Sequence, residues 1–363
     1  MWIALGVLAL LALLTLVLLG SCPRTPPETS GVKVGAGAFA RTLFWQGDIR
    51  WIGDIRVIVH GEAGPADVEV FVFSERICVL DGQSGALRQT LLRDKQEYWS
   101  EHDEIVEALT SGRFKIASSG LTDTFPMRYG VSVIDQSGKA LWSYSSSDGG
   151  GFAVCDADGD GKPEFYVASD HGLVRLDDNG HRVWGTSGSF YEVAAVPSGV
   201  GKELIVTRDS NYSLSFWNAD GSAAKGGKRV TPADHFCNIR TCNWPAEGHI
   251  LGCTGGWILV IDHEGNRVLS APLTEHAIFE MNGTPVQFDP HKKPYLAVVG
   301  RLRAETGLSV LGVFSPEGEL VYREVVNITT GIAALPIPRT GREALLVGDG
   351  PGKVYKYEPV AVQ

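Results

Sequence analysis

Charge is scarce in this chain, and basic charge is scarcer than acidic. Of 363 residues only 20% are charged, while 44% are hydrophobic, a balance that excludes an intrinsically disordered protein. The 32 basic residues face 42 acidic ones, giving a formal net charge of −10. Phosphate-rich partners would be repelled, so no nucleic-acid partner is expected. Catalytic signatures are missing as well: there is no nucleophile elbow, zinc-type H-E-x-x-H helix, dinucleotide fingerprint or phosphate loop. The near match "GDGPGK" at 348–353 has neither the required spacing nor a following Ser or Thr. Paired C-x-x-C zinc motifs are also absent. Local motifs therefore give no reason to expect an enzyme.

The first segment lacks charge altogether. Residues 2–20, "WIALGVLALLALLTLVLLG", are long enough to span a bilayer or to serve as the apolar region of a signal peptide. They run into "LGSC" at 19–22. This tetrapeptide resembles the lipobox of bacterial lipoproteins, which implies removal of residues 1–21 and lipid attachment at Cys22. An uncleaved anchor helix over the same residues is the alternative. Both readings hold a soluble body at a membrane, outside the cytoplasm in the cell envelope. Residues 22–38, with the Pro-rich "PRTPPETSG" at 23–31, read as a stiff tether, and residues 39–363 as the body.

Five further cysteines remain: Cys78, Cys155, Cys237, Cys242 and Cys253. An odd number in an exported chain cannot all pair. Cys155 lies in a strand-like run and reads as a small buried hydrophobe. A zinc site from Cys237, Cys242 and Cys253 with His235 or His249 would not have the usual spacing, so one disulfide plus buried thiols is the expectation.

Repetition is what the sequence has in abundance. "CVLDGQSGAL" (78–87), "SVIDQSGKALW" (132–142), "VRLDDNGHRVW" (174–184), "SFWNADGSAA" (215–224), "LVIDHEGNRV" (259–268) and "GVFSPEGELV" (312–321) share one pattern. Each is an alternating apolar run, a polar turn closing on Gly, and a second strand-like run, which is a hairpin signal. The turn glycines are spaced 53, 42, 41, 44 and 53 residues apart. Between them lies a second series, such as "DGKPEFYVAS" (160–169) and "TGREALLVG" (340–348), whose short unbroken apolar runs fit strands buried on both faces. Four short strands in about forty residues make one β-propeller blade.

The fold expected is thus an all-β propeller of four-stranded blades, seven in number, with eight as the alternative. Surplus strand in "FARTLFWQGDIRWIGDIRVIVHG" (39–61) is expected to pair with the last blade and close the ring. The stretch "RDKQEYWSEHDEIVEAL" (93–109), inside one wide spacing, is charged enough for a short helix, and the other wide spacing holds "GRLRAETG" (300–307). The repeats resemble those of PQQ-like (quinoprotein-like) and FG-GAP/VCBS propellers. In the PQQ-like repeat a final Trp packs on the neighbouring blade, and Trp142 and Trp184 match that position.

One turn differs from its counterparts. In "VCDADGDGKPEFYVAS" (154–169), Asp156, Asp158 and Asp160 stand at alternate positions, with Gly161, Lys162 and Glu164 following. A hard cation needs six to eight oxygens from a loop that curls around it. The equivalent turns "VPSGVGKE" (196–203) and "IPRTGRE" (337–343) keep the glycine without the aspartates, so the turn itself does not need them. Four carboxylates this close repel one another unless a cation intervenes. The pattern is not an EF-hand, since Val167 stands where a closing Glu would be. It resembles the D-x-D-x-D-G-x-x-D/E loop of FG-GAP/VCBS and integrin-type blades, which implies calcium held by Asp156, Asp158, Asp160, the Lys162 carbonyl and Glu164, in a structural role.

Function is expected to be binding: a membrane-tethered scaffold for an unknown protein or glycan ligand. A propeller enzyme acting on polysaccharide through its central mouth, or an integrin-like adhesion protein, are the alternatives. An exposed aromatic patch at the mouth would favour a protein partner.

Overall fold

A computed structural model describes residues 39–60, 67–92, 99–110, 113–121, 129–146, 151–198, 203–303 and 307–360. The segment 1–21, the tether 22–38 and Cys22 lie outside the described residues. Among the described residues no helix is long and apolar enough to cross a membrane.

After β1 (Phe39–Gln46), seven sheets follow in chain order. Blade 1 is β2 (Asp54–His60), β3 (Asp67–Phe73), β4 (Arg76–Asp81) and β5 (Leu87–Leu92). Blade 2 is β6 (Trp99–Thr110), β7 (Arg113–Leu121), β8 (Tyr129–Asp135) and β9 (Ala140–Ser146). Blade 3 is β10 (Phe152–Cys155), β11 (Glu164–Ser169), β12 (Gly172–Leu176) and β13 (Arg182–Thr186). Blade 4 holds β14 (Phe190–Pro197), β15 (Glu203–Asp209) and β16 (Leu214–Trp217). Blade 5 is β17 (Cys237–Cys242), β18 (His249–Thr254), β19 (Trp257–Ile261) and β20 (Arg267–Pro272). Blade 6 is β21 (Ile278–Val286), β22 (Tyr295–Leu302), β23 (Leu308–Phe314) and β24 (Leu320–Asn327). Blade 7 is β25 (Ile332–Ile337), β26 (Arg342–Gly348), β27 (Lys353–Pro359) and the returning β1.

The molecule is therefore a seven-bladed β-propeller, antiparallel within every blade. The first strand of each blade touches the first strand of the next, and β25 returns to β2. The N-terminal strand closes the ring as expected, with Phe39 opposite Pro359 and Gln46 opposite Lys353. Arg41 locks that seam by ion pairs to Glu324 and Asp349 while its guanidinium lies 3.7 Å from the Tyr355 ring centre.

The core is not one mass but seven apolar clusters, one between each pair of adjacent blades. Alternation in the second strands explains this. Val70 and Val72 of β3 face blade 7, whereas Phe71 and Phe73 face blade 2, because successive side chains leave opposite faces of a sheet. A strand sandwiched this way must be apolar throughout, and every residue of β11 is buried.

The repeated hairpin turn has a common physical basis. Asp81, Asp135, Asp177 and Asp262 each accept backbone N–H bonds from residues two to four further on. The following glycines, from Gly85 at φ 71° to Gly265 at φ 87°, adopt the left-handed conformation that other residues rarely take. Trp142 reaches over Gly180 in the next blade and donates to the Asp178 carbonyl at 3.0 Å; Trp184 does the same over Gly221, donating to Ala219 at 2.8 Å. Val230 and Leu269 fill the corresponding place against Gly265 and Gly318.

One expectation is corrected, and one blade departs locally from the common plan. The charged stretch expected as a helix is strand β6 over residues 99–110, interrupted by three register shifts; residues 93–98 lie outside the described residues. Ile105 packs into the blade 1–2 cluster and its neighbour Val106 into the blade 2–3 cluster, which requires the two-residue period of a strand. Blade 4 has three strands, and isolated bridges Leu214↔Val230 and Trp217↔Ala223 stand in for the fourth. Left-handed Lys225, Gly226 and Gly227 break the run there.

Candidate functional site

The two ends of the ring present different chemistry. At the end where β10 passes into β11, the loop places one carboxylate oxygen from each of Asp156, Asp158, Asp160 and Glu164 within 4.8 Å of one another. Backbone bonds shape it: Asp156 accepts from Gly159 and Gly161, each at 2.9 Å, and Asp160 accepts from the Lys162 N–H at 2.9 Å. Glu164, only 3% exposed, accepts from the Ala157 N–H at 2.8 Å. The sequence brings these residues together because Gly159 and Gly161 both turn left-handed, at φ 79° and 83°.

A cation is already present, supplied by the protein. Arg175 of β12 donates to Asp158 at 2.5 Å, to Glu164 at 2.7 Å and to the Ala219 carbonyl of blade 4 at 3.1 Å. Burial pushes the Glu164 carboxyl up to about 7, whereas the Arg175 hydrogen bond holds Asp158 below the usual carboxylate range. The donor set still fits a hard cation, since a carboxylate offers about four lone-pair positions and the backbone bonds occupy only some. Arg175 was not foreseen; an arginine at the matching position of a neighbouring strand has no local signature.

The opposite end is built from the starts of the inner strands of blades 4, 5 and 6. Blades 4 and 6 repeat one unit: Phe190–Tyr191–Glu192 opposite Arg208, and Ile278–Phe279–Glu280 opposite Arg301. In both, a register shift at the aromatic residue turns the ring out of the ladder. Tyr191 is 45% exposed and Phe279 44%. Glu192 pairs with Arg208 at 2.8 Å and Glu280 with Arg301 at 3.1 Å. The guanidiniums lie 5.7 Å from the Tyr191 ring centre and 4.6 Å from that of Phe279. Burial opposes the charge of Arg208, but its hydrogen bond to Glu192, together with the charge of Glu192 and the nearby Cys237 and Tyr212, outweighs that and pushes it up.

Blade 5 ties the two units together. Its Ile239 N–H donates to Glu192 at 2.9 Å, and the Asn238 amide donates to the Phe279 carbonyl at 2.9 Å. Tyr212 meets His235 in a tilted contact at 4.8 Å between ring centres and sits 5.5 Å from the Arg208 guanidinium. Trp257, 47% exposed, follows the β18–β19 turn, whose Gly255 carbonyl accepts from Ile278 N–H on the same rim. Behind the rim a cavity of about 230 Å³ lies among Phe152, Ala153, Val193, Ala195, Ile239 and Thr241, smaller than the about 300–1,000 Å³ usual for small-molecule sites. Of the stretch "GRLRAETG", Arg301 lies near the end of β22 and joins this rim.

The remaining candidates are quickly placed. No disulfide joins the five cysteines among the described residues. No cluster of three or more His, Cys, Asp or Glu suited to a metal occurs among the described residues except the aspartate loop. His181 is exposed and His263 half-buried, each in a hairpin turn.

No family model matches the chain, and no curated protein matches it. Solved structures resemble it in fold. Two are crystal structures of BBS1N in complex with ARL6DN, one soaked with mercury and one with lead. The first is 10% identical with a TM-score of 0.60, covering 91% of this chain and 99% of that one; the second is 11% identical at 0.59, covering 88% and 98%.

Proposed function

We propose that this protein is a membrane-tethered, extracytoplasmic propeller that binds a protein partner on the rim of blades 4–6. The carrying observation is the repeated aromatic–Glu–Arg unit at Tyr191 and Phe279, pre-set by hydrogen bonds through blade 5. Protein-binding hot spots are enriched in Tyr, Trp and Arg, and rings held rigid before contact lose little entropy on binding. The structural neighbours, described as BBS1N in complex with ARL6DN, support the same kind of use.

The aspartate loop has a separate role in this reading. Asp156, Asp158, Asp160, the Lys162 carbonyl and Glu164 would hold calcium, which supplies countercharge to the loop and stabilises the fold by binding only its folded form. Arg175, bonded to one oxygen each of Asp158 and Glu164, would share these two carboxylates with the ion.

The test is chemical cross-linking of the full-length chain in its own membrane, comparing wild type with the Tyr191→Ala/Phe279→Ala double variant. A protein adduct lost in the variant, with an unchanged thermal midpoint, is expected. An adduct retained at full yield would overturn the rim as the binding surface.

A further inference from the structure

The strand pair β17–β18 sets Cys237 directly opposite Cys253, and their sulfurs are 3.8 Å apart. No other described cysteine has a cysteine opposite it: Cys242 faces His249 and Cys78 faces Val72, while Cys155 faces Glu164. Directly opposed residues of an antiparallel pair have Cα atoms about 4.5–5.5 Å apart, inside the about 4.4–6.8 Å window of disulfides. The ladder is interrupted between Cys237 and Arg240, where Asn238 is left-handed at φ 58°, so Cys237 is not pinned on that side.

The environment divides the two thiols by task. Cys237 is half-buried, while Cys253 is fully buried. The Asn238 amide donates to both sulfurs at 3.4 Å. A hydrogen bond from Cys253 holds the Cys237 thiol below its usual range, against the cost of burial and with help from nearby Arg208. Cys253 is pushed up by that same contact and by burial. A half-buried thiol held below its usual range beside a buried one pushed above it is how a nucleophilic and a resolving thiol differ. By contrast, Cys242 lies at the far end of β17, and burial pushes it up to about 12.

We propose that Cys237 and Cys253 form a reversible dithiol–disulfide pair, closed by exchange with a small disulfide such as oxidised glutathione. The Cys237 thiolate attacks one glutathione sulfur; the glutathione S–S bond breaks and one glutathione thiolate leaves, taking the proton Cys237 released. Cys253 then gives up its proton and attacks the Cys237 sulfur, expelling the second glutathione as a thiol. Two protein thiols are oxidised and one disulfide is reduced to two thiols. The sulfurs must close from 3.8 Å to the about 2.05 Å of an S–S bond, which side-chain rotation with a small strand shift can supply.

The experiment is incubation of the folded full-length chain with oxidised glutathione, then alkylation in denaturant so that buried thiols are reached, and peptide mapping by mass spectrometry. A Cys237–Cys253 disulfide that dithiothreitol reopens is expected, with Cys242 alkylated throughout. The Cys253→Ser variant should instead accumulate glutathione on Cys237. Recovery of both Cys237 and Cys253 alkylated from folded wild type would overturn the proposal. So would a glutathione adduct on wild-type Cys237 that never resolves.

Discussion

The aspartate loop of blade 3 and the aromatic rim of blades 4–6 sit at opposite ends of the inner strands, and they solve the problem of charge differently. In the loop, Asp156, Asp158, Asp160 and Glu164 crowd within nine residues, and a single arginine serves two of them. On the rim each arginine has its own glutamate, Arg208 with Glu192 and Arg301 with Glu280. The loop carries surplus negative charge and turns inward on its own backbone. The rim is balanced and turns its rings outward. Surplus charge is a place for an ion; balanced charge beneath exposed rings is a place for a surface.

If that division is right, damage to the loop lowers stability and spares binding, while damage to the rim does the reverse. The largest effect is expected from Arg175→Met, which leaves Glu164 buried beside Asp158 without its cation. Breaking a buried ion pair costs about 3–5 kcal/mol; Asp158 is exposed and Glu164, already pushed up to about 7, can take up a proton, so the loss falls below that range. Chemical denaturation of the two proteins measures it, and added calcium should recover part of the loss.

Calcium itself should raise the thermal midpoint of the wild type by several degrees, through binding to the folded form alone. Asp158→Ala should lose that response. An equal response in the variant would remove the loop from consideration as the site.

The pH dependence is the next smaller effect. Without calcium the folded-state pKa of Glu164 is raised, from 4.5 to about 7. Its contribution to stability is therefore full below about pH 4.5 and lost as pH rises through about 7. Asp158 works oppositely, since its pKa is lowered: its contribution is present above the ordinary carboxylate range and lost on acidification. Glu164→Gln should flatten the decline between pH 4.5 and 7 in thermal melts with chelator present, leaving the acid limb.

On the rim the expected stability change is smallest. Tyr191→Ala with Phe279→Ala should move the midpoint little, because both rings are largely outside the core and exposed substitutions usually stay within about 0.5 kcal/mol.

The same contrast explains what could be read beforehand. The loop is contiguous, so its donors are visible as a spacing. The blades repeat, so Gly85 to Gly318 mark the turns and the count of seven follows once β1 is assigned to ring closure. The rim combines Tyr191, Arg208, Asn238, Phe279 and Arg301, which only the closed ring brings together. Its trace in sequence is the repeated aromatic–Glu pair in "FYE" and "IFE", recognisable only after the strand register is known. Arg175 was invisible for the same reason, being a cross-strand partner. In the charged run 93–109, Ile105 and Val106 reach the clusters on opposite sides of blade 2, and two adjacent apolar residues show no alternation in the sequence.

The most direct test of the division between the two ends is site-specific photo-cross-linking in the living cell. A photoreactive phenylalanine would replace Tyr191 in one full-length protein and Asp158 in another. A discrete protein adduct from position 191, with none from position 158, is the predicted result. Adducts only from position 158, or equal adducts from both, would contradict the assignment of binding to the rim and of stability to the loop.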